Sequence, residues 1–372
     1  MVERTGLEMR KVRVSIILIV LMLLGMGIIM IYSSSSIHAW NNRGDSLFYI
    51  KRHMFYLLLG FILMFISMAL DHRVIKKSAK PLFFISLLFL ALSLIPGIGR
   101  EAAGAKRWIR VGNFGFQPSE LIKVTFVIYL ADYISRRKKI LNNFTYGLLP
   151  VLFALGAPTL LILLQPDLGT AISLVSISFV MLFCAGLNYR YFLLSGLISL
   201  PALYFLVFNV AYRRARILTF LDPWADPQGT GFQIIQSQIA LGSGGVFGLG
   251  LGQGRQKLFY LPAAHTDFIF SVIGEEMGIV GAIIVTLLFI LLIWQMIKIV
   301  RFSHDEFLRF LSIGIMSLIA LQAIINIGVS IGFFPTKGLP LPFISYGGSS
   351  LVFDMAAIGL LLNASRNKEI YL

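Results

Sequence analysis

Asp267 closes the polar run His265-Thr266-Asp267, which gives way at once to Phe268-Ile269-Phe270. An acid placed where a connecting segment enters a long hydrophobic stretch costs stability, so one kept there is a candidate for chemistry on a membrane-borne substrate. Two roles suit it. It can cap the following helix by accepting backbone N–H groups. It can also act as a general base, because partial desolvation raises a carboxyl pKa and lets it take a proton from a sugar hydroxyl. Glu275 and Glu276 lie two turns further on. At about 3.6 residues per turn, Glu275 falls roughly 80° around the helix from Asp267, an angle that lets it share the same cavity. The alternative for this pair is an interhelical hydrogen bond or ion pair. A zinc site on His265, Asp267 and Glu275 is a rival reading, but a single local histidine without a matching ligand cluster argues against it.

Lys106-Arg107-Trp108 sets two cations beside an aromatic plate, a combination that fits a pyrophosphate next to a sugar or a lipid chain. Pro118 suits a helix start, and Glu120 and Lys123, three residues apart, can pair; such a pair inside a span is more often structural than catalytic. In the turn Gln165-Pro166-Asp167-Leu168-Gly169-Thr170, Asp167 can cap a helix or line the same cavity as Asp267. Arg213, Arg214, Arg216, Arg255 and Lys257 cluster within 211–267, which suits an anionic ligand or lipid phosphates. The prolines and glycines from Pro335 to Gly348 signal irregular backbone at membrane depth, which must be buried in protein or line a wet cavity. That block brings Ser345 and Ser349 into the set of candidate substrate contacts, with His265 and Thr266.

These residues have to be positioned by membrane helices. With 57% hydrophobic and 13% charged residues, the chain is not a soluble globular protein. About ten apolar stretches reach spanning length, near 14–34, 54–70, 82–97, 118–135, 147–164, 168–186, 191–210, 268–300, 308–333 and 349–365. The expected fold is therefore an all-α integral membrane domain over 1–372, with a large extracytoplasmic loop at 211–267 between helices 7 and 8. The first stretch is too long for a signal peptide and lacks a small-x-small cleavage site, so it reads as a retained anchor. A net charge of +15 invites a nucleic-acid reading, but short basic clusters at alternate helix ends follow the positive-inside pattern instead. That pattern puts both termini in the cytoplasm. The one cysteine, Cys184, falls within an apolar span, leaving no disulfide framework or Cys-based metal site.

Within the loop, Leu221 to Pro227 is rich in turn residues, and 231–240 mixes Gln and Ile as an amphipathic helix along the interface would. The glycines from Gly242 to Gly254 can approach a ligand closely. They match neither a Walker loop nor a Rossmann fingerprint.

Taken together, the motifs resemble the SEDS family (shape, elongation, division and sporulation), the RodA/FtsW/SpoVE polymerases of bacterial cell wall. The marks are Gly104-Ala105-Lys106-Arg107-Trp108-Ile109, Phe116-Gln117-Pro118-Ser119-Glu120, Gln165 to Thr170, Ala264 to Phe270 with Gly274-Glu275-Glu276, and Gly338 to Ser350. Five marks in order along nearly the whole chain make the likeness specific. It implies a ten-helix, inverting glycosyltransferase that polymerises lipid II into glycan on the outer face of the bacterial cytoplasmic membrane, releasing undecaprenyl pyrophosphate. It also implies that Asp267 is the essential acid and that Trp108 and Glu120 are functional. Expected partners are a class B penicillin-binding protein and other divisome or elongasome proteins. Gly250 to Lys257, the stretch Phe259-Tyr260-Leu261-Pro262, and Tyr32 to Ser36 look most like the FtsW/SpoVE branch. No metal ligand set is assigned, although a divalent cation (Mg or Mn) is compatible with a pyrophosphate leaving group. A lipid II flippase would need the same cavity and cations, but the convergent charges gather toward one face, as an enzyme requires.

Overall fold

Long apolar runs leave the backbone no partners but its own, so they fold as helices. The computed structural model describes residues 2–102, 105–112, 114–258, 260–336 and 338–366. Twelve α-helices are described: α1 (Val2–Arg43), α2 (Phe48–Ala69), α3 (His72–Leu92), α4 (Pro118–Arg137), α5 (Leu149–Leu164), α6 (Leu168–Cys184), α7 (Tyr189–Phe208), α8 (Ala211–Leu221), α9 (Phe232–Ser243), α10 (Ile269–Phe302), α11 (Glu306–Ser330) and α12 (Gly348–Ala364). Six of them, α1, α2, α7, α10, α11 and α5 with the turn before it, are long and apolar enough to cross a membrane. The apolar helices α6 and α12 are shorter. Lys76, Lys77 and Lys80 on α3 and Glu120 and Lys123 on α4 put charge into the helices that carry the other two expected spans.

Helix starts follow local chemistry. Asp71, Asp167, Asn188 and Asp305 each accept a backbone N–H at the first turn of α3, α6, α7 and α11, and Pro118 opens α4 where a missing N–H costs nothing. α12 packs closely along α2. A side chain at Gly359 would collide with the Met64 carbonyl, so the two backbones meet only because that position carries none. α10 is interrupted at Gly278, whose φ of 68° and ψ of −167° leave the helical region.

Between α3 and α4 the chain forms a small antiparallel sheet, β1 (Gly99–Ala102), β2 (Ala105–Val111) and β3 (Phe114–Phe116). The sequence had shown only a connecting loop there. The expected amphipathic segment is helical as α9, but Ile234, Ile235 and Ala240 are buried, packed toward α10 and α11 instead of lying against lipid.

Candidate functional site

Asp267 sits in the turn that feeds α10. The Ala263 carbonyl accepts from the N–H groups of Thr266, Asp267 and Phe268 at 3.0, 3.1 and 3.4 Å. Ala263 itself adopts a φ of 56°, so the turn is strained before the helix begins. The irregular segment 338–347 wraps this turn. Ser345 donates from Oγ to the Thr266 carbonyl at 2.6 Å, its Oγ accepts from Leu341 N at 2.9 Å, and Tyr346 N donates to the His265 carbonyl at 2.9 Å. Asn326 on α11 donates from Nδ2 to the Asp267 carbonyl at 2.9 Å and to the Leu339 carbonyl at 2.8 Å. A Cβ at Gly338 would lie 3.2 Å from Asp267 Oδ2, so the glycine keeps space beside the carboxylate. The prolines and glycines of this block thus build a buried cradle for the acid, as irregular backbone in a membrane protein must.

The Asp267 carboxyl is partly exposed yet crowded. Desolvation raises its pKa to about 6, opposed first by the Arg216 guanidinium, then by the Thr266 hydroxyl and Arg107, while Asp167 adds to the rise. Four separate elements therefore converge. Arg216 reaches in from α8 and donates to the Thr336 carbonyl at 2.9 Å. Arg107 arrives on β2 and grips the α5–α6 turn, donating to the carbonyls of Gln165 at 3.1 Å and Pro166 at 2.6 Å. Its Nη1 lies 3.7 Å from Asp167 Oδ2, while Asp167 Oδ1 caps α6 by accepting from Thr170 N at 3.1 Å. Asp167 thus caps α6 with one oxygen while the other faces Arg107.

Other candidates are placed differently. Trp108 is half-buried and its ring packs on Gly115 of β3. The Lys106 side chain lies outside what the structure describes, as do Lys337 and Phe259. Ser349 accepts from Gln117 N at 3.0 Å and so ties the start of α4 to α12. Glu120 and Lys123 form a buried ion pair of 2.9 Å on α4.

Glu275 does not share a cavity with Asp267. Its Oε1 accepts from Arg255 N and Gln256 N at 2.7 and 3.1 Å. Glu276 accepts from Ser33 Oγ at 2.7 Å, Lys257 Nζ at 2.6 Å and Gly252 N at 2.9 Å. The helical angle had suggested the cavity, but the glycine loop folds back over α10 and takes both carboxylates for itself. His265 packs among aromatic rings. Its ring lies 4.7 Å from Tyr49 and 5.7 Å from Tyr346, and burial, with His38 nearby, holds its pKa down at about 4.

Asn326 escaped the sequence reading. The only available signal was an Asn facing inward on an apolar helix, and its partners are backbone carbonyls that no motif reveals. Among the described residues, no group of three or more His, Cys, Asp or Glu could hold a metal ion. The two carboxylates at the centre face guanidinium groups, so they do not form a cage for a divalent cation.

The signature of the FtsW/RodA/SpoVE family, described as "Cell cycle protein", matches residues 14–370. A protein named "Probable peptidoglycan glycosyltransferase FtsW" from Geobacter sp. (strain M18) is 48% identical over 339 residues, covering 91% of this chain and 92% of that protein. Stage V sporulation protein E of Bacillus subtilis (strain 168) is 44% identical over 351 residues, 94% of this chain and 96% of the relative. Among solved structures, a chain from a study of the structural coordination of polymerization and crosslinking by a peptidoglycan synthase complex superposes with a TM-score of 0.77 at 34% identity, covering 94% of this chain and 96% of that one. The rod shape determining protein RodA of Thermus thermophilus gives 0.70 at 30% identity, covering 94% and 95%. Matched by the family over residues 14–370 and by solved structures over 94% of its length, this multi-pass membrane protein belongs to the FtsW/RodA/SpoVE family.

Proposed function

We propose that this chain is a peptidoglycan glycosyltransferase that polymerises lipid II, with Asp267 as its general base. The observation that carries the reading is the convergence of Arg216, Arg107 and Asp167 on a crowded Asp267 carboxyl whose pKa stands at about 6. A carboxylate near that value is ionised at neutral pH and still basic enough to accept a proton from an alcohol under attack. Asp267 takes the proton of the acceptor GlcNAc 4-hydroxyl. The oxygen bonds to C1 of the donor MurNAc, the C1–O bond to undecaprenyl pyrophosphate breaks, and the proton later passes from Asp267 to water. One displacement gives inversion, since the nearby Asp167 carboxylate is held by Arg107 and by the start of α6 instead of standing free as a nucleophile. Arg216 and Arg107 offset the charge growing on the departing pyrophosphate.

The membrane orientation supports this assignment. Arg73, Lys76, Lys77, Lys80, Arg136, Arg137, Lys138, Lys139, Arg190, Arg301 and Arg309 mark the end of the bundle opposite Asp267, which the positive-inside rule places in the cytoplasm with both termini. Asp267 then faces outward from the bacterial cytoplasmic membrane. The whole chain acts as one polytopic domain, and 211–267 is its outer loop. A transpeptidase of the class B penicillin-binding type, within the division or elongation machinery, is the partner suggested by the likeness to a synthase-complex chain. The charges that converge on Asp267 lie toward one end of the bundle, which suits an enzyme better than a lipid II flippase, whose substrate path needs polar groups from one side of the bilayer to the other.

The test uses purified full-length protein with labelled lipid II and its transpeptidase partner. Asp267→Ala should reduce glycan formation by about 100-fold or more. Polymerisation at the wild-type rate by a folded Asp267→Ala protein would remove Asp267 from catalysis; lipid translocation without glycan would instead support the flippase.

A further inference from the structure

Away from Asp267, α3, α4 and α5 leave a cleft between them in the basic half of the bundle. α3 and α4 pack closely: the hydroxyls of Ser86 and Thr125 hydrogen-bond at 2.7 Å, and the rings of Phe83 and Tyr129 stack at 4.6 Å. α5 meets them with Pro150, Ala154 and Ala157, small residues on one helical face that leave space where a larger side chain would fill it. The resulting cavity has a volume of about 510 Å³. Two of its lining residues, Phe84 and Phe153, are 61% and 71% exposed and form its lip. Its side-chain walls are apolar apart from the Tyr129 hydroxyl. Water finds too few partners on such walls, whereas hydrocarbon gains dispersion contacts along them.

The cleft is apolar at one end and cationic at the other. From Tyr129 a column of side chains runs along α4 toward the basic end: the Tyr133 ring lies 6.5 Å away, and the Arg137 guanidinium carbon sits 5.5 Å from the centre of that ring. The Tyr133 hydroxyl donates to the Gly147 carbonyl at 2.7 Å and Arg137 Nη1 to the Tyr146 carbonyl at 3.0 Å, which ties the start of α5 to the end of α4. The Arg137 bond is its one hydrogen bond among the described residues, from a side chain rich in donors. On α3, the exposed Lys77 and Lys80 fall within about 80° of Phe84 and Leu87 around the helix, on the face that lines the cleft. Phe144 and Tyr146, both exposed, precede α5 and mark the level where hydrocarbon gives way to headgroups. From Leu149 to Ala157 the cleft then reaches about 12 Å into the hydrocarbon.

We propose that the α3–α4–α5 cleft is a binding site for an anionic phospholipid of the leaflet at the basic end: one acyl chain fills the cavity, and the phosphate meets Arg137 and Lys80. The charge at the mouth selects the headgroup, and the small residues of α5 admit the chain. Such a lipid packs into the bundle, unlike those that only surround it, and joins α5 to the α3–α4 pair. Nothing in the proposal depends on Asp267 or on glycan formation.

The experiment titrates delipidated full-length protein in detergent with palmitoyl-oleoyl phosphatidylglycerol, or with phosphatidylcholine carrying the same chains, and reads retained lipid by native mass spectrometry. Wild type should retain phosphatidylglycerol about tenfold more tightly. Arg137→Gln and Lys80→Gln should each weaken phosphatidylglycerol about fivefold, the scale of one cation near a phosphate, and leave phosphatidylcholine unchanged. Arg301 is an exposed cation on α10, outside the cleft, so Arg301→Gln should change neither affinity. Ala157→Phe fills the cavity and should weaken both lipids about tenfold. Should it fail to fold, Ala154→Leu fills less of the space and should act in the same direction.

Equal retention of the two lipids by wild type overturns the proposal, as does full retention by a folded Ala157→Phe protein. A loss in Arg301→Gln as large as in Arg137→Gln also overturns it, because the attraction would then belong to the basic surface as a whole. Phosphatidylglycerol should raise the unfolding temperature of wild type, whereas inorganic phosphate should not. An equal rise with phosphate alone would assign the cations to a free anion and defeat the lipid site.

Discussion

The Asn326 amide donates to the backbone carbonyl of Asp267 at 2.9 Å and to that of Leu339 at 2.8 Å, joining the acid's turn to the irregular segment that surrounds it. One side chain therefore serves two carbonyls that no helix satisfies. Asn326→Leu leaves both without a donor, at a cost of about 1–3 kcal/mol each. We expect a lower unfolding temperature in detergent and polymerisation reduced by roughly tenfold, because small displacements of a catalytic group are costly. A variant with wild-type melting and rate would show that the cradle holds without Asn326.

The pH dependence of the reaction follows from Asp267. Its pKa is raised from 3.8 to about 6, and a base works only when ionised, so the rate should climb as pH rises through about 6 and level off above it. Arg216 is the largest influence holding that value down. Arg216→Gln should therefore shift the acid limb to higher pH. His265, held at about 4, stays neutral across this range, so His265→Gln should leave the midpoint in place. An acid limb that vanishes with His265 and ignores Arg216 would reassign the base.

Lys257 and Glu276 form an ion pair of 2.6 Å, 3% and 0% exposed at their side chains, which fastens the glycine loop to α10 and, through Ser33, to α1. Breaking a buried pair from one side strands a charge, at a typical cost of about 3–5 kcal/mol. Lys257→Met should lower thermal stability sharply, and adding Glu276→Gln should recover much of the loss. Equal melting temperatures for the single and double variants would mean that the stranded carboxylate is not the cause.

Arg107 grips two successive carbonyls of the α5–α6 turn while facing Asp167. A lysine keeps the charge but cannot reproduce the planar fork. Arg107→Lys should thus cut kcat/KM for lipid II by about tenfold with little change in melting temperature, given the partial exposure of this side chain. Full activity in Arg107→Lys would show that charge alone suffices at this position.

Gly359 lets α2 and α12 meet backbone to backbone. Gly359→Leu has nowhere to place its side chain except against the Met64 carbonyl, and overpacking of this kind costs about 1–3 kcal/mol. The expected result is reduced yield of folded protein and a lower melting temperature, read by size-exclusion chromatography and thermal unfolding. Normal behaviour would mean that the helices can separate at little cost.

What the sequence by itself determined was local or compositional. Apolar runs of spanning length, the N-cap at Asp167, and the proline-glycine block from 335 to 348 declared the helices and the irregular segment, because each depends on neighbours a few residues away. The Asp267 turn and the Arg107 strand were legible as chemistry for the same reason. Tertiary structure decided which of these meet. Arg216, Arg107 and Asp167 come to Asp267 from three different elements, while Glu275, eight residues from Asp267 in the chain, is claimed by the backbone of Arg255 and Gln256. Asn326 was invisible as a functional candidate, since its partners are backbone carbonyls of a turn and an irregular segment far from it in the chain. Helical periodicity gives the angle at which a side chain leaves its own axis. It cannot say which loop folds back to occupy that direction, because that choice is made by hydrogen-bond satisfaction across the assembled bundle.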